Sequence, residues 1–284
     1  MEKPIYIKKA DGTLEPFNEN KLIESLEHVG ADKDVIDSIV EKVKREIKDG
    51  MTTGAIYHLA FSHLRESKTN TAVKYSLRRA LSELGPNGFP FERFIAEIFK
   101  TQGYEAVTDQ VVYGACVPHE VDVVAWKGDE LIMVEAKFHN EFGFKSDVKV
   151  ALYVKARFDD LKENEFEYGG KKRKITDAWL VTNTKFTDQA IHYAECKGLK
   201  LIGWNYPAQN NLQDMIEQSN LHPFTALTSL SATQKKYLLA HNILMCKDIP
   251  HHQELLKEQG MSSEDIAKVL KEIDSIYETS RKTE

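Results

Sequence analysis

Two apolar stretches joined by a short turn constrain the fold of this chain more than any other feature. Residues 119–126 (HEVDVVAW) and 130–137 (ELIMVEAK) have the length and composition of strands, which predicts a β-hairpin. The strand period of two puts Glu135 and Lys137 on one face of the second strand. Asp122 interrupts the first strand in the same way. A carboxylate inside an apolar strand is costly unless it is paired or binds a metal, so the hairpin is expected to carry a functional site.

The residue types in this hairpin favour metal-dependent chemistry on phosphodiesters. Asp122 and Glu135 supply carboxylate oxygens, which hard cations prefer, and Lys137 adds a positive charge beside them. The alternative is structural: Glu135 and Lys137 could form an ion pair at the end of a strand, as charged pairs on one sheet face do.

Glycine and proline divide the chain into three expected domains, residues 1–86, 87–208 and 221–284. The clearest linker is the stretch Gly85-Pro86-Asn87-Gly88. The first domain is predicted to contain a β-hairpin that turns at Asp11-Gly12, followed by four short helices with apolar residues at helical spacing. These signals indicate a multidomain chain that combines α+β and α/β parts.

The middle domain alternates strands with helices, which predicts an α/β core with a mixed sheet. Its predicted elements are helices over 91–102 and 146–161, a turn over 169–174 and a final strand-helix-strand ending near residue 204. The last domain is predicted to form short helices over 231–241, 250–259 and 262–277, for which a packing or oligomerisation role is favoured.

Composition limits the class of protein. The net charge is −6, and residues 87–220 carry 16 basic and 21 acidic side chains, which weighs against a generic nucleic-acid binder unless a cation reverses the local field. The three cysteines are far apart, which fits a reducing compartment. No run of residues is apolar enough to span a bilayer, so a soluble, cytoplasmic protein without membrane contact is expected.

The first domain resembles the ATP-cone, the regulatory nucleotide-binding domain of many ribonucleotide reductases. The resemblance is carried by KADGTLEPFNENKL at 9–22, TTGAI at 52–56 and YSLRR at 75–79. It implies that Lys9 and Lys21 contact the phosphates of ATP or dATP, that Glu15 and Asn18 lie near the nucleotide, and that Thr53 begins a nearby helix. From the residues alone, two lysines near a hairpin and a helix start can bind a polyphosphate, and a solvated charged face is the alternative.

The middle domain resembles the catalytic domain of Mrr-type restriction endonucleases, a PD-(D/E)xK nuclease. The resemblance is carried by FERFIAEIF at 91–99 with QGY at 102–104, by Asp122 with Glu135-Ala136-Lys137, and by the strand-helix-strand over 180–202. It implies that Asp122, Glu135 and the Ala136 carbonyl bind Mg²⁺ and that Lys137 acts on the attacking water. Glu92 is expected to hold a second cation or to orient a water, with a helix-surface carboxylate as the alternative. Lys145 and Lys149, taken to lie one helical turn apart, are candidates for contacts with a DNA backbone.

The sequence therefore predicts an ATP-cone fused to an Mrr-like nuclease. The expected activity is Mg²⁺-dependent endonuclease cleavage of DNA, in defence or DNA processing, regulated by ATP or dATP in a homo-oligomer. One alternative is a non-catalytic ATP or dATP sensor that binds DNA or a partner protein through a nuclease-like fold. Another is a nuclease that acts on RNA.

Overall fold

The N-terminal part of the chain is a small hairpin packed on helices. The computed structural model describes residues 4–9, 12–29, 31–67, 69–85, 87–140 and 143–280; Asp11 of the predicted turn, Gly30 and Pro86 lie outside them. Strands β1 (Tyr6–Lys8) and β2 (Leu14–Pro16) pair antiparallel, as the sequence predicts. The helices that follow are α1 (Glu19–His28), α2 (Lys33–Glu46), α3 (Thr53–Ser67) and α4 (Thr69–Ser82).

Helix α4 belongs to more than one hydrophobic core. The cluster formed by the hairpin and helices α1 to α3 has Tyr75 of α4 packed against it. Farther along, Leu77 and Leu81 are fully buried in the core of the middle domain, and Ala80 is buried among the C-terminal helices. Each fully buried leucine stabilises such a contact by roughly 1.5–3 kcal/mol. The N-terminal unit is therefore joined to the other two by packing as well as by the chain.

A five-stranded mixed sheet forms the centre of the molecule. The elements of this sheet and its helices are α5 (Phe89–Thr101), β3 (Glu105–Tyr113), β4 (Pro118–Lys127), β5 (Glu130–Lys137), α6 (Val148–Leu161), β9 (Asp177–Thr182), α7 (Asp188–Lys197), β11 (Lys200–Ile202) and α8 (Leu212–Ser219). The strand order is β11-β9-β5-β4-β3, in which β3, β4 and β5 are antiparallel while β5, β9 and β11 are parallel. Helices α5 and α8 cover one face, and α6 and α7 cover the other.

The local sequence explains why the central elements form. In β5 the run Leu131–Val134 is buried on both faces, and such continuous apolar runs are typical of a strand inside a covered sheet. In α5 the apolar residues recur at helical spacing, so that Phe91, Phe94, Ile95, Ile98 and Phe99 are buried along one side. The predicted mixed sheet is confirmed.

Several predicted elements differ in the structure. The edge strand β3 and helix α8 are not among the predicted elements. The predicted turn over 169–174 is confined to Gly169-Gly170, because Lys171–Lys174 forms a strand, β8, paired with β7 (Glu165–Tyr168). Lys145 and Lys149 are not one helical turn apart, since Lys145 lies in the short strand β6 (Lys145–Ser146) before α6 begins. β6 pairs parallel with β10 (Lys185–Phe186), in a second two-stranded sheet.

The C-terminal part of the described chain consists of short helices, as predicted. The expected helix over 250–259 is divided because His252 leaves the helical region, with φ −130° and ψ 38°. The elements are two 3₁₀ helices, Phe224–Ala226 and Cys246–His251, and α9 (Ala232–Ala240), α10 (Gln253–Glu258) and α11 (Ser263–Ser280). Within the described ranges no helix has the length and apolar character needed to cross a membrane.

Candidate active site and nucleotide site

Asp122 lies where strands β4 and β5 diverge. Their last paired residues are Val123 and Val134. Beyond this pair, the N–H of Ala136 donates a hydrogen bond to Oδ2 of Asp122 at 2.7 Å. The carboxylate thus takes the place of a ladder partner, which fixes Asp122 next to the Glu135-Ala136-Lys137 segment that the sequence predicts to be functional.

Glu135 and Lys137 project from the same face of β5, on the side covered by α6. Glu135 forms an ion pair with the guanidinium of Arg157, which α6 contributes. Arg157 is 5% exposed, and Tyr153, one turn earlier in α6, stacks over it with 5.1 Å between the guanidinium carbon and the ring centroid. The alternative of an ion pair between Glu135 and Lys137 is not what the structure shows: the partner of Glu135 is Arg157.

The carboxyl groups of the site destabilise one another when ionised. Burial, followed by the charge of Asp122, raises the pKa of Glu135 to about 7. Burial also raises the pKa of Asp122, against the opposing effects of the Ala136 N–H and of Arg157. Glu92 of α5 lies close enough to these carboxyl groups to feel their charges. Burial and then the charges of Asp122, Asp109 and Glu135 raise the pKa of Glu92 to about 7. The four residues predicted to be catalytic are therefore brought together, because Lys137 acts on both Asp122 and Glu135.

Asp109 is a site residue that the sequence does not reveal. Thr108 pairs with Val123 and Gln110 pairs with Val121, so Asp109 lies directly opposite Asp122 in the register of the two strands. Its φ of 55° lies in the left-handed region, which is uncommon for a residue other than glycine. Asp109 adds an exposed carboxylate at the edge of the site.

The donor set fits a hard divalent cation that keeps several of its waters. Asp122 and Glu135 offer carboxylate oxygens, and the Ala136 carbonyl lies in β5 between Glu135 and Lys137. Mg²⁺ is usually bound by one or two carboxylates and retains water ligands. Among the described residues, no group of three or more His, Cys, Asp or Glu side chains is arranged to hold a metal. The raised pKa values have the sign expected of carboxyl groups that a cation would stabilise in the ionised form.

The predicted nucleotide residues gather around Glu15. Nζ of Lys9 lies 2.7 Å from Glu15 and Nζ of Lys21 lies 3.2 Å from it, and both lysines lower the pKa of that carboxyl, Lys9 the more. The side chain of Asn18 accepts a hydrogen bond from the N–H of Asn20 at 3.0 Å and so caps α1. Residues 15–21 line a cavity of about 640 Å³.

Thr53 begins α3 beside the same hairpin. The preceding residue, Thr52, forms a parallel bridge with Lys8 of β1, and the N–H of Lys8 donates to the carbonyl of Met51 at 3.0 Å. The hydroxyl of Thr52, rather than that of Thr53, accepts the N–H of Ala55 at 3.1 Å. Lys9, Glu15, Asn18 and Lys21 are thus brought together, with the start of α3 held next to β1.

Comparison with protein families divides the chain into three matched segments. Residues 5–84 match the ATP cone domain, residues 86–206 match the restriction endonuclease family Mrr_cat, and residues 222–277 match the AF1548-like C-terminal family.

Individual proteins resemble a large part of the chain. An uncharacterised protein of Archaeoglobus fulgidus is 34% identical over 179 residues, which are 63% of this chain and 97% of that protein. A crystal structure of a protein of unknown function, AF1548, is 32% identical and has a TM-score of 0.53, with 67% of this chain and 98% of that chain covered. The restriction endonuclease MspJI, solved in complex with a 27-mer oligonucleotide, is 14% identical and has a TM-score of 0.32. The match covers 70% of this chain and 41% of that chain, and a likeness this low says nothing about function. The chain belongs to the AF1548-like family, and in it an ATP cone domain is followed by a restriction endonuclease domain and the AF1548-like C-terminal domain.

Proposed function

We propose that this protein is a Mg²⁺-dependent DNA endonuclease whose activity is controlled by a nucleotide bound to its ATP cone. The observation that carries the proposal is the convergence of Asp122, Glu135 and Lys137 where two strands of a restriction endonuclease-like sheet diverge. The domain family supports nuclease chemistry, and the donor set supports a hard cation.

Each residue of the site has a distinct part in this mechanism. Asp122, Glu135 and the Ala136 carbonyl would hold the cation, which would supply a water of lowered pKa and neutralise charge on the scissile phosphate. The exposed ammonium of Lys137 orients the attacking water and stabilises the charge that develops on the phosphate. Glu92, with a pKa near neutrality, orients a second water on the α5 side of the site.

The nucleotide part of the proposal assigns Lys9 and Lys21 to the phosphates of ATP or dATP, with Glu15, Asn18 and Thr53 around them. In the structure Glu15 already forms ion pairs with both lysines, so a phosphate must displace this carboxylate. We expect nucleotide binding to change the association of a homo-oligomer, which light scattering with and without ATP and dATP measures.

The experiment that tests the proposal is cleavage of supercoiled plasmid DNA, methylated and unmethylated, with Mg²⁺ or EDTA and with ATP, dATP or neither. Wild type should nick or linearise the plasmid only with Mg²⁺, and Lys137→Ala should not. A matched control is Lys197→Ala, which removes an exposed lysine from the last turn of α7. Equal cleavage by Lys137→Ala would refute the assigned role, and a parallel digest of RNA separates the two substrates.

One observation favours a second candidate, a non-catalytic nucleotide sensor that binds DNA or a partner protein through the nuclease-like fold. Glu135 is already paired with a buried guanidinium, so the site is partly neutralised without a metal. Calorimetric titration with Mg²⁺ decides between the two. Binding that Asp122→Asn abolishes supports the nuclease, whereas nucleotide binding with no Mg²⁺ binding and no cleavage supports the sensor.

A further inference from the structure

We propose that the restriction endonuclease domain completes the nucleotide site of the ATP cone, with Lys145 and Lys185 binding the same polyphosphate as Lys9 and Lys21. This inference rests on the proposed nucleotide control and specifies where the two domains meet the ligand. We call these four lysines, together with Arg78, the interdomain cation cluster.

The geometry of two short strands places two of the cations side by side. β6 and β10 pair in parallel, and Lys145 lies directly opposite Lys185. Paired residues on neighbouring strands point to the same face, and the strands lie about 4.8 Å apart. Both side chains are exposed. Like charges facing each other across a strand pair are unfavourable, and an anion between them removes the penalty.

The ATP cone contributes further positive charge to the same place. The surroundings of Lys185 lower its pKa, first through burial of the ammonium by neighbouring atoms and then through the charges of Arg78, Lys145, Lys9 and Lys21. Lys185 keeps an exposed side chain, so the crowding is local to its ammonium group. The ammonium of Lys185 therefore feels the positive charges of residues from the hairpin, α1, α4 and β6.

The ligand that fits this field is a chain of several phosphates. Glu15 forms ion pairs with both Lys9 and Lys21, and Lys145 and Lys185 add two further positive charges nearby. The adjoining cavity of about 640 Å³, lined by residues 15–21, has the volume typical of small-molecule sites. A nucleoside triphosphate lying there can extend its phosphates toward Lys145 and Lys185, whereas a monophosphate lacks the length and the charge to engage both groups of lysines.

A direct path leads from the two lysines of the nuclease domain to the candidate active site. Lys137 pairs with Thr182 at the end of β9, just before the segment that carries Lys185. Between them, the side chain of Asn183 binds both backbone groups of His139, accepting its N–H at 2.9 Å and donating to its carbonyl at 2.7 Å. Ser146, next to Lys145, lies 3.2 Å from Nε2 of His139.

This path gives the composite site a consequence for catalysis. His139 follows Lys137 by two residues, and it contacts Ser146 of β6 and Asn183, which lies just before β10. A polyphosphate that draws Lys145 and Lys185 toward the ATP cone acts on the same segments. Nucleotide binding is therefore expected to shift the position of Lys137.

The test is binding of ATP, ADP and AMP to the full chain by calorimetry. Lys145→Gln and Lys185→Gln are each expected to weaken ATP binding about tenfold, the size of one charge-assisted contact. ADP should lose less and AMP least. Lys172→Gln is the matched control, because Lys172 is an exposed strand lysine of the same domain. Thermal melting of each variant confirms that it remains folded.

The outcomes separate this inference from the proposed function. Wild-type affinity for ATP in both variants, with loss of binding in Lys21→Gln, would overturn the composite site and leave nucleotide control intact. No ATP binding by wild type would remove the nucleotide control itself. A DNA backbone shares the phosphate chemistry, so a duplex oligonucleotide is titrated in parallel. Weaker DNA binding with unchanged ATP binding would assign the two lysines to DNA and overturn the inference.

Discussion

The replacement Arg157→Met tests whether the buried guanidinium is the counter-ion of the active-site carboxylates. Methionine keeps most of the aliphatic volume but removes the charge. Glu135, whose side chain is 17% exposed, would then lie beside Asp122 without its cation. Removing one partner of a buried pair costs about 3–5 kcal/mol, because the remaining charge is uncompensated. We expect a loss of that size in the free energy of unfolding when Glu135 is ionised.

The pH dependence of this loss distinguishes a lost charge from lost packing. The pKa of Glu135 is raised to about 7 in the wild type, and without Arg157 it rises further. An acid with a raised pKa destabilises the folded state as the pH rises above its unfolded pKa, because the folded state holds its proton more tightly. Well below about pH 7 the group is protonated in both folded proteins, so the difference falls to the packing change, about 1 kcal/mol.

The assay is urea unfolding in EDTA at about pH 9 and pH 5, followed by tryptophan fluorescence. Trp126, Trp179 and Trp204 are the three tryptophans of the chain, and all of them lie in the restriction endonuclease domain. Arg45→Met, at an exposed position in the last turn of α2, is the matched control. The double variant with Glu135→Gln should recover most of the loss at pH 9. An equal loss at both pH values, or no recovery in the double variant, would refute the counter-ion role.

Three further predictions concern single carboxyl groups. Mg²⁺ at 100 times its Kd should raise the free energy of unfolding of the wild type by about 2.7 kcal/mol, which thermal melting measures. The same rise in Asp122→Asn would count against Asp122 as a metal ligand. Glu92→Gln should stabilise the metal-free protein at about pH 8 and have little effect at pH 5, because its pKa of about 7 makes ionisation costly above neutrality; urea titrations at both values test this. Asp160 accepts the side chain of His119 and the N–H groups of Cys116 and Val117, and these contacts, His119 first, lower its pKa to about 2. The stabilisation by ionised Asp160 is complete above about pH 4 and is lost as the pH falls through 2. Because the carboxylate accepts the N–H groups of Cys116 and Val117, Asp160→Asn should speed amide exchange at these two residues at neutral pH. Unchanged exchange would contradict this role of Asp160.

The sequence reveals those site residues whose position follows from the pattern of a single strand. Glu135 and Lys137 share a face because they are two residues apart, and this spacing holds in any strand. Asp122 is identifiable because it interrupts an apolar run. Arg157, by contrast, lies 22 residues from Glu135, and a helical pattern does not tell which of several basic residues of α6 is turned inward.

The residues at the edge of the site, such as Asp109 of β3, cannot be identified from the sequence for a different reason. β3 has three consecutive polar residues, 108–110, at its centre, which hides the alternation that identifies a strand, and Asp109 has a φ of 55°. Without β3, the carboxylate opposite Asp122 cannot be placed. Similarly, Lys145 is assigned to a helix in the sequence analysis, whereas its pairing with Lys185 depends on a two-residue sheet too short to leave a pattern.

Helix α4 gives a physical reason to expect communication between the nucleotide and the nuclease. Its Leu77 and Leu81 belong to the nuclease core, and its Ala80 packs among the C-terminal helices, where the hydroxyl of Thr225 donates to the Ala80 carbonyl at 2.6 Å. Lys235 of the C-terminal domain lies 3.7 Å from Glu83, at the end of the same helix. Because the three cores share this helix, a movement of the ATP cone displaces residues in both other domains. Coupling between binding sites is reciprocal, so DNA should change the affinity for ATP by the same factor as ATP changes the affinity for DNA. An affinity for ATP that saturating DNA leaves unchanged would show that α4 joins the domains without coupling their ligands.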